Sequence, residues 1–310
     1  MTMQGHKRKP DWLKVKSDFG ENYRKIKSTL ADLKLHTVCQ EATCPNICEC
    51  FEHKTATFLI LGDICTRGCA FCDVKKRQVS LKSQVSSLKT QPLPLDLSEP
   101  KRVAEMVKKL NLEYAVITSV TRDDLNDGGA NHFAQTVSEI RMVNPNCKVE
   151  VLIPDFGGSY DSLKIVLEAK PDVLNHNLET VKRLYPLVRK CADYHRSLNL
   201  LFNAKRIDKG VITKSGLIIG LGEKWEEILE TIKDLKEVGC GLLTMGQYLR
   251  PPSSSYEVKK YYHPDEFLEL KNIGMGLGFS NVESAPLVRS SYRAKFQMEK
   301  GKVGTVGTGL

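Results

Sequence analysis

Cysteine is the residue whose number and spacing most directly imply chemistry. Ten occur in 310 residues, and seven of them fall between Cys39 and Cys72. The run Cys65-Thr-Arg-Gly-Cys69-Ala-Phe-Cys72 is a C-x3-C-x2-C triplet directly after an apolar stretch. Three thiolates on one short loop cannot fill the four positions of a closed structural zinc site, which normally draws on two CxxC or CxxH pairs. A [4Fe–4S] cluster held by three cysteines instead leaves one iron open to a substrate or cofactor. Upstream, Cys39-Gln-Glu-Ala-Thr-Cys44-Pro-Asn-Ile-Cys48-Glu-Cys50 contains a second set. Cys39, Cys44 and Cys50 form C-x4-C-x5-C, again three thiolates and one vacancy. Cys48 is either a bystander or a competitor for the place of Cys50. Cys147, Cys191 and Cys240 stand alone and read as small, buried apolar residues. A zinc-binding interaction module, or an electron carrier or cluster scaffold, are the alternative readings of these thiols.

Such loops need a rigid support. After Lys54 the chain alternates apolar runs with amphipathic helical stretches, the βα pattern. Six runs read as strands: 57–61, 114–119, 148–153, 172–177, 215–220 and 242–247. Between them, Val103, Met106, Val107 and Leu110 share one helical face, with Ser98 as an N-cap and Pro100 in the first turn. Trp225, Ile228, Leu229, Ile232 and Leu235 share another. Strands separated by helices favour a parallel sheet with right-handed crossovers. Six such units predict an α/β fold, a partial (β/α)6 barrel with chemistry at the C-terminal ends of its strands. The barrel is expected over residues 56–275. Residues 1–55, which carry the first cysteine set, and 276–310 read as N- and C-terminal extensions covering the barrel mouth. Residues 73–97 are polar and weakly periodic, a long surface connection. There is no internal repeat.

Composition sets outer limits. At 41% apolar residues the chain can bury a core, and it has no run approaching the roughly 20 apolar residues of a membrane span. The first residues have neither the apolar region of a signal peptide nor an amphipathic presequence, so the expected location is cytoplasmic. Forty-six Lys and Arg against 37 Asp and Glu give a net charge of +9. These bases lie in short scattered groups without interleaved aromatics, which argues against nucleic-acid binding; a solvated surface, an anionic membrane surface or an acidic protein partner are the readings left.

The C-x3-C-x2-C triplet at the end of a first barrel strand, with Phe71 before its last cysteine, resembles the signature of radical S-adenosylmethionine (SAM) enzymes. The upstream C-x4-C-x5-C set narrows the resemblance to lipoyl synthases. The likeness continues through Lys9-Pro-Asp-Trp-Leu-Lys-Val-Lys, Leu35-His-Thr-Val-Cys39, Thr118-Ser-Val-Thr-Arg122-Asp-Asp-Leu, Asp127-Gly-Gly-Ala, Asn175-His-Asn-Leu-Glu179-Thr, Gly246-Gln-Tyr-Leu-Arg250-Pro and Arg289-Ser-Ser-Tyr292, over about residues 9–295. One position departs: the family has a small residue, typically Gly, where Cys48 stands.

The resemblance implies two [4Fe–4S] clusters and SAM as cofactors. Cys65, Cys69 and Cys72 would hold the catalytic cluster, whose open iron binds SAM. Cys39, Cys44 and Cys50 would hold an auxiliary cluster with Ser291 as its fourth ligand, Ser290 being the neighbouring candidate. Thr118, Ser119, Asp123, Asn175, Asn177 and Glu179 follow strand ends where the superfamily binds SAM, and Ile218 corresponds to a residue that packs on its adenine. Those same residues also suit plain hydrogen bonding and capping at strand ends. The implied activity is insertion of sulfur at C6 and C8 of an octanoyl chain amide-linked to a carrier lysine, with the auxiliary cluster as the sulfur source. The implied partners are octanoylated lipoyl carrier domains, namely 2-oxoacid dehydrogenase E2 subunits and the glycine cleavage H protein, and an electron donor such as ferredoxin or flavodoxin.

Overall fold

The computed structural model describes residues 9–15, 19–53, 55–76, 92–254 and 256–303. Its ten strands, in chain order, are β1 (His36–Thr37), β2 (Thr57–Ile60), β3 (Ile64–Cys65), β4 (Lys75–Lys76), β5 (Tyr114–Ser119), β6 (Lys148–Leu152), β7 (Val173–Asn175), β8 (Ile212–Ile219), β9 (Leu242–Gln247) and β10 (Asn281–Ser284). The helices are α1 (Glu21–Asp32), α2 (Val38–Glu41), α3 (Ile47–Glu52), α4 (Glu99–Lys109), α5 (Ala130–Val143), α6 (Tyr160–Glu168), α7 (Tyr185–Val188), α8 (Tyr194–Ile207), α9 (Trp225–Glu237), α10 (Pro264–Gly276) and α11 (Ala294–Val303).

All six expected strands form, and they are parallel neighbours in the order β2-β5-β6-β7-β8-β9. The sheet stays open, which makes it a partial barrel. Two strands beyond the expected six extend it. β1 from the N-terminal segment pairs antiparallel with β2, and β10 pairs parallel with β9. The C-terminal segment thus does more than lie over the barrel; Val282 and its neighbours complete an apolar edge that β9 would otherwise expose. The run Asn281–Ser284 is too short and too polar to announce itself as a strand.

Strands buried on both faces read as continuous apolar runs, and Thr57–Ile60 and Leu242–Gln247 are buried throughout. The outward residues pack under α4, α5, α6, α8 and α9, with Val103, Met106 and Val107 of α4 and Ile228, Ile232 and Leu235 of α9 buried as their period requires. Each such side chain contributes about 1.5–3 kcal/mol. Ser98 does occupy the N-cap of α4, but its hydroxyl donates to Asp96 instead of capping the helix. The connection expected over 73–97 falls largely outside the described residues.

Two layers fill the barrel interior. Near the N-terminal ends of the strands, Tyr114, Val116 and Val173 form an apolar cluster with Ala294 and Met298 of α11, which plugs that end. Above it, Glu150 accepts hydrogen bonds from Lys214 (3.0 Å), Asn175 (3.0 Å) and Tyr114 (2.7 Å), and all four side chains are buried. The remaining volume, toward the C-terminal ends, is a cavity.

Candidate active site

The C-x3-C-x2-C loop is pinned at both ends, because β3 before it and β4 after it pair in parallel, Ile64 with Lys75 and Cys65 with Lys76. Between them, the Ala70 N–H donates to Val188 O (2.8 Å) and the Ser254 hydroxyl donates to Ala70 O (2.5 Å). Arg67 inside the loop is buried and forks onto two carboxylates, Asp123 (2.8 and 2.7 Å) and Asp155 (2.7 Å). Arg196 binds the other oxygen of Asp155 at 2.9 Å. Burial works against the charge on Asp155, but Arg67 and the Gly157 N–H hold its carboxyl well below the usual range. This bidentate anchoring fixes the loop before any cofactor arrives.

The upstream thiols are positioned by β1. Thr37 ends that strand and caps α2 by accepting from the Gln40 N–H, which delivers Cys39 to the barrel. Cys44 follows on a turn and Cys50 on α3. The C-terminal motif grips the same region: Asn46 donates to Leu287 O (2.7 Å), Tyr292 donates to Glu49 (2.9 Å), and the Thr57 hydroxyl donates to Ser291 Oγ (2.8 Å). Gly246 permits this approach, since a Cβ there would collide with Val288 O.

Burial pushes the thiols up: Cys39 to about 12, Cys72 to about 12, Cys69 to about 11, with Cys44 and Cys50 also raised. Within each set the thiols raise one another, Cys50 through Cys39 and Cys44, and Cys72 through Cys69 and Cys65. Buried thiols that repel as thiolates are stabilised by a shared cation. Among the described residues, no three His, Cys, Asp or Glu side chains converge on the single point a lone ion would need.

One cavity of about 400 Å³ joins the two sets. Cys39 and Cys44 line it from one side, Cys72 and Phe71 from another, and Ser290 and Ser291 border it from the C-terminal motif. Of the residues expected at SAM, Asn177, Glu179 and Ile218 line this cavity. Glu179 holds a left-handed backbone (φ +66°), accepts from Asn177 Nδ2 (3.1 Å), and its carboxyl is pushed up by burial against the opposing pull of Arg189 and Arg289. The other four lie elsewhere. The Thr118 hydroxyl is spent on Leu152 O across the sheet, Ser119 turns its buried hydroxyl away without a partner, Asp123 is taken by Arg67, and Asn175 points into the layer beneath, onto Glu150. Cys147 and Cys240 are buried as expected; Cys191 is exposed, because it sits in a left-handed turn (φ +67°) on the surface after α7.

Arg189 and Arg289 are additions that the sequence reading did not assign. Arg189 interacts electrostatically with Cys69 and Glu179, and Arg289 with Cys44 and Glu179. Arg289 opened a quoted motif and was within reach; Arg189 follows a plain apolar turn and carried no signal.

Two family models match the chain: the radical SAM superfamily over residues 59–235, and the N-terminal domain of lipoyl synthase of the radical SAM family over residues 2–44. Lipoyl synthase of Caldicellulosiruptor saccharolyticus is 54% identical over 93% of this chain and 96% of its own length, and that of Rubrobacter xylanophilus 52% over 98% and 91%. The chain belongs to the lipoyl synthase family. Likeness to solved structures shows the fold alone: methylornithine synthase matches with a TM-score of 0.53 at 14% identity, over 70% of this chain and 61% of that one. Streptococcus suis SuiB bound to S-adenosylmethionine matches with 0.52 at 12%, over 78% and 53%. The lipoyl synthase family's two [4Fe–4S] clusters fit the donor sets here, three mutually coupled thiols in each, with one face of each set open to the same cavity.

Proposed function

We propose that this chain inserts two sulfur atoms, at C6 and then C8, into an octanoyl chain amide-linked to a lysine of a lipoyl carrier domain. The observation that carries the reading is the single cavity bordered by thiols of both sets and by Ser291. Held there by Cys65, Cys69 and Cys72 and by Cys39, Cys44, Cys50 and Ser291, the clusters with SAM supply a hydrogen-abstracting deoxyadenosyl radical and a source of sulfide. The protein's share is placement and exclusion of water. Val38, Leu217, Ile218 and Val288 give the cavity an apolar wall suited to an alkyl chain. Lys9 and Arg250 stand on its border, where a carrier surface carrying acidic groups would meet them. Arg189 and Arg289 flank Glu179 and neutralise the negative charge gathered there. The carriers are E2 subunits and the H protein, the electron donor a ferredoxin or flavodoxin, and the location cytoplasmic; among the described residues no helix is long and apolar enough to cross a membrane.

The test is anaerobic. Cluster-loaded protein receives reductant, SAM and an octanoyl-lysine peptide, and peptide mass is followed with 5′-deoxyadenosine. Two sulfurs gained stepwise, with Cys50→Ala retaining deoxyadenosine but losing sulfur gain, is the expected result. Deoxyadenosine without sulfur gain from the parent chain points to another substrate, and none at all from loaded protein overturns the reading.

A further inference from the structure

Thr57 opens β2, is buried, and borders the cavity between Cys39 and Ser291. Its hydroxyl donates to Ser291 Oγ at 2.8 Å, joining residues 234 positions apart. Thr57 and Cys39 line the same cavity, and Thr57 works against the burial that pushes the Cys39 thiol up. The sheet register puts it there. The antiparallel ladder pairs His36 with Leu59 and Thr37 with Phe58, and α2, which carries Cys39, starts directly after it, next to the Thr57 end of β2. Ser290 is committed to a different wall, donating to Asn177 Oδ1 at 2.9 Å.

We propose that Thr57 is a positioning residue of the auxiliary centre: its hydroxyl holds the Ser291 oxygen beside Cys39 and stabilises it as the displaceable fourth ligand. The inference rests on the reading of Ser291 as that ligand. The Thr57 hydroxyl fixes the Ser291 oxygen in one place across 234 positions of chain, so the ligating atom is held on the cavity wall before the cluster is bound. The Thr57 hydroxyl has one proton, which goes to Ser291. No water needs to enter so buried a site to provide the bond. As a hard oxygen donor to a soft metal, Ser291 would be the most displaceable of the four ligands, and the Thr57 hydroxyl would keep it in place while the cluster is intact.

The measurement is the rate at which iron is released to a chelator under anaerobic conditions. It is made in the full chain with Cys65, Cys69 and Cys72 replaced by Ala, so that only auxiliary iron is followed. Thr57→Val, which keeps shape and backbone N–H but removes the hydroxyl, is expected to release iron about tenfold faster, the effect of losing one hydrogen bond to a charged group. Thr57→Ser is expected to retain the parent rate. In the converse background, with Cys39, Cys44 and Cys50 replaced by Ala, Thr57→Val is expected to leave catalytic iron unaffected. If Ser291→Ala speeds auxiliary release and Thr57→Val does not, the role of Thr57 is overturned. Faster loss from both backgrounds, or failure of Thr57→Ser to retain the rate, marks a folding effect and overturns it too. If Ser291→Ala itself changes nothing, the reading of Ser291 as a ligand falls, and this inference with it.

Discussion

Cys48 is the additional thiol between Cys44 and Cys50, and helix geometry decides what it can do. Cys48 and Cys50 both lie on α3, two residues apart, so their side chains point about 200° away from each other. They cannot serve one centre together. The thiols that repel one another electrostatically are Cys39, Cys44 and Cys50. Cys48 is buried on the other side of the helix, near the position of Phe51 one turn on. Cys48→Ala is therefore expected to leave iron content, sulfide content and sulfur insertion unchanged, whereas Cys50→Ala removes the auxiliary cluster alone. Iron and sulfide analysis of the two variants side by side checks this. A Cys48→Ala chain that loses iron would make Cys48 the ligand.

At the scale of elements, the barrel floor does a different task from its rim. Glu150 on β6, Lys214 on β8, Asn175 on β7 and Tyr114 on β5 tie four strands together beneath the cavity. A buried ion pair is a modest source of stability compared with an apolar core, but breaking one leaves an unpaired charge. Lys214→Met is expected to destabilise the fold by about 3–5 kcal/mol. Adding Glu150→Gln to Lys214→Met should recover much of that loss, since Gln carries no charge, its Oε1 still accepts from Asn175, and its NH2 can donate to the Tyr114 hydroxyl oxygen. Denaturant midpoints of the two variants and the parent, all in the same cluster state, give the answer; an additive double variant would mean that the charge on Glu150 is solvated. The loops at the other ends of these strands are braced separately, by Arg67 between Asp123 and Asp155, so the floor can be altered without moving the cysteines directly.

For the molecule as a whole, His176 couples folding to pH. It is buried on β7's extension, its Nδ1–H donates to Ile153 O at 2.8 Å, and burial, reinforced by Arg189, pushes its pKa from 6.5 down to about 4. The unfolded chain takes up a proton near 6.5 while the folded chain does not, so the unfolded state binds more protons between those limits. Stability is then full above pH 6.5 and falls as the pH drops toward 4, levelling off below. At about 1.4 kcal/mol per pH unit the loss is on the order of 3 kcal/mol. Unfolding curves measured across this window should show the decline, and His176→Asn, which keeps a donor without the titrating ring, should flatten it. Equal slopes in parent and variant would place the acid sensitivity elsewhere.

The sequence by itself determined the chemistry. Thiolate spacing is local, so Cys65, Cys69 and Cys72 had to share a loop, and the six apolar runs had to be parallel strands because helices separate them. That Asn177, Glu179 and Ile218 would stand at strand ends was legible, because they sit on or just beyond a strand whose end is recognisable, and all three line the cavity. What only the tertiary structure decided were the pairings across long separations. Asp123 looked like a cofactor contact until Arg67 claimed it, and Asn175 until the inward pleat turned it onto Glu150. Arg189 gave no periodic signal, and Ser291 met Thr57 only because the segment that follows β10, at the opposite edge of the sheet from β1, comes back to β2. Side-chain period fixes which face a residue occupies within its own element, but which charge or hydroxyl waits there depends on an element elsewhere in the chain.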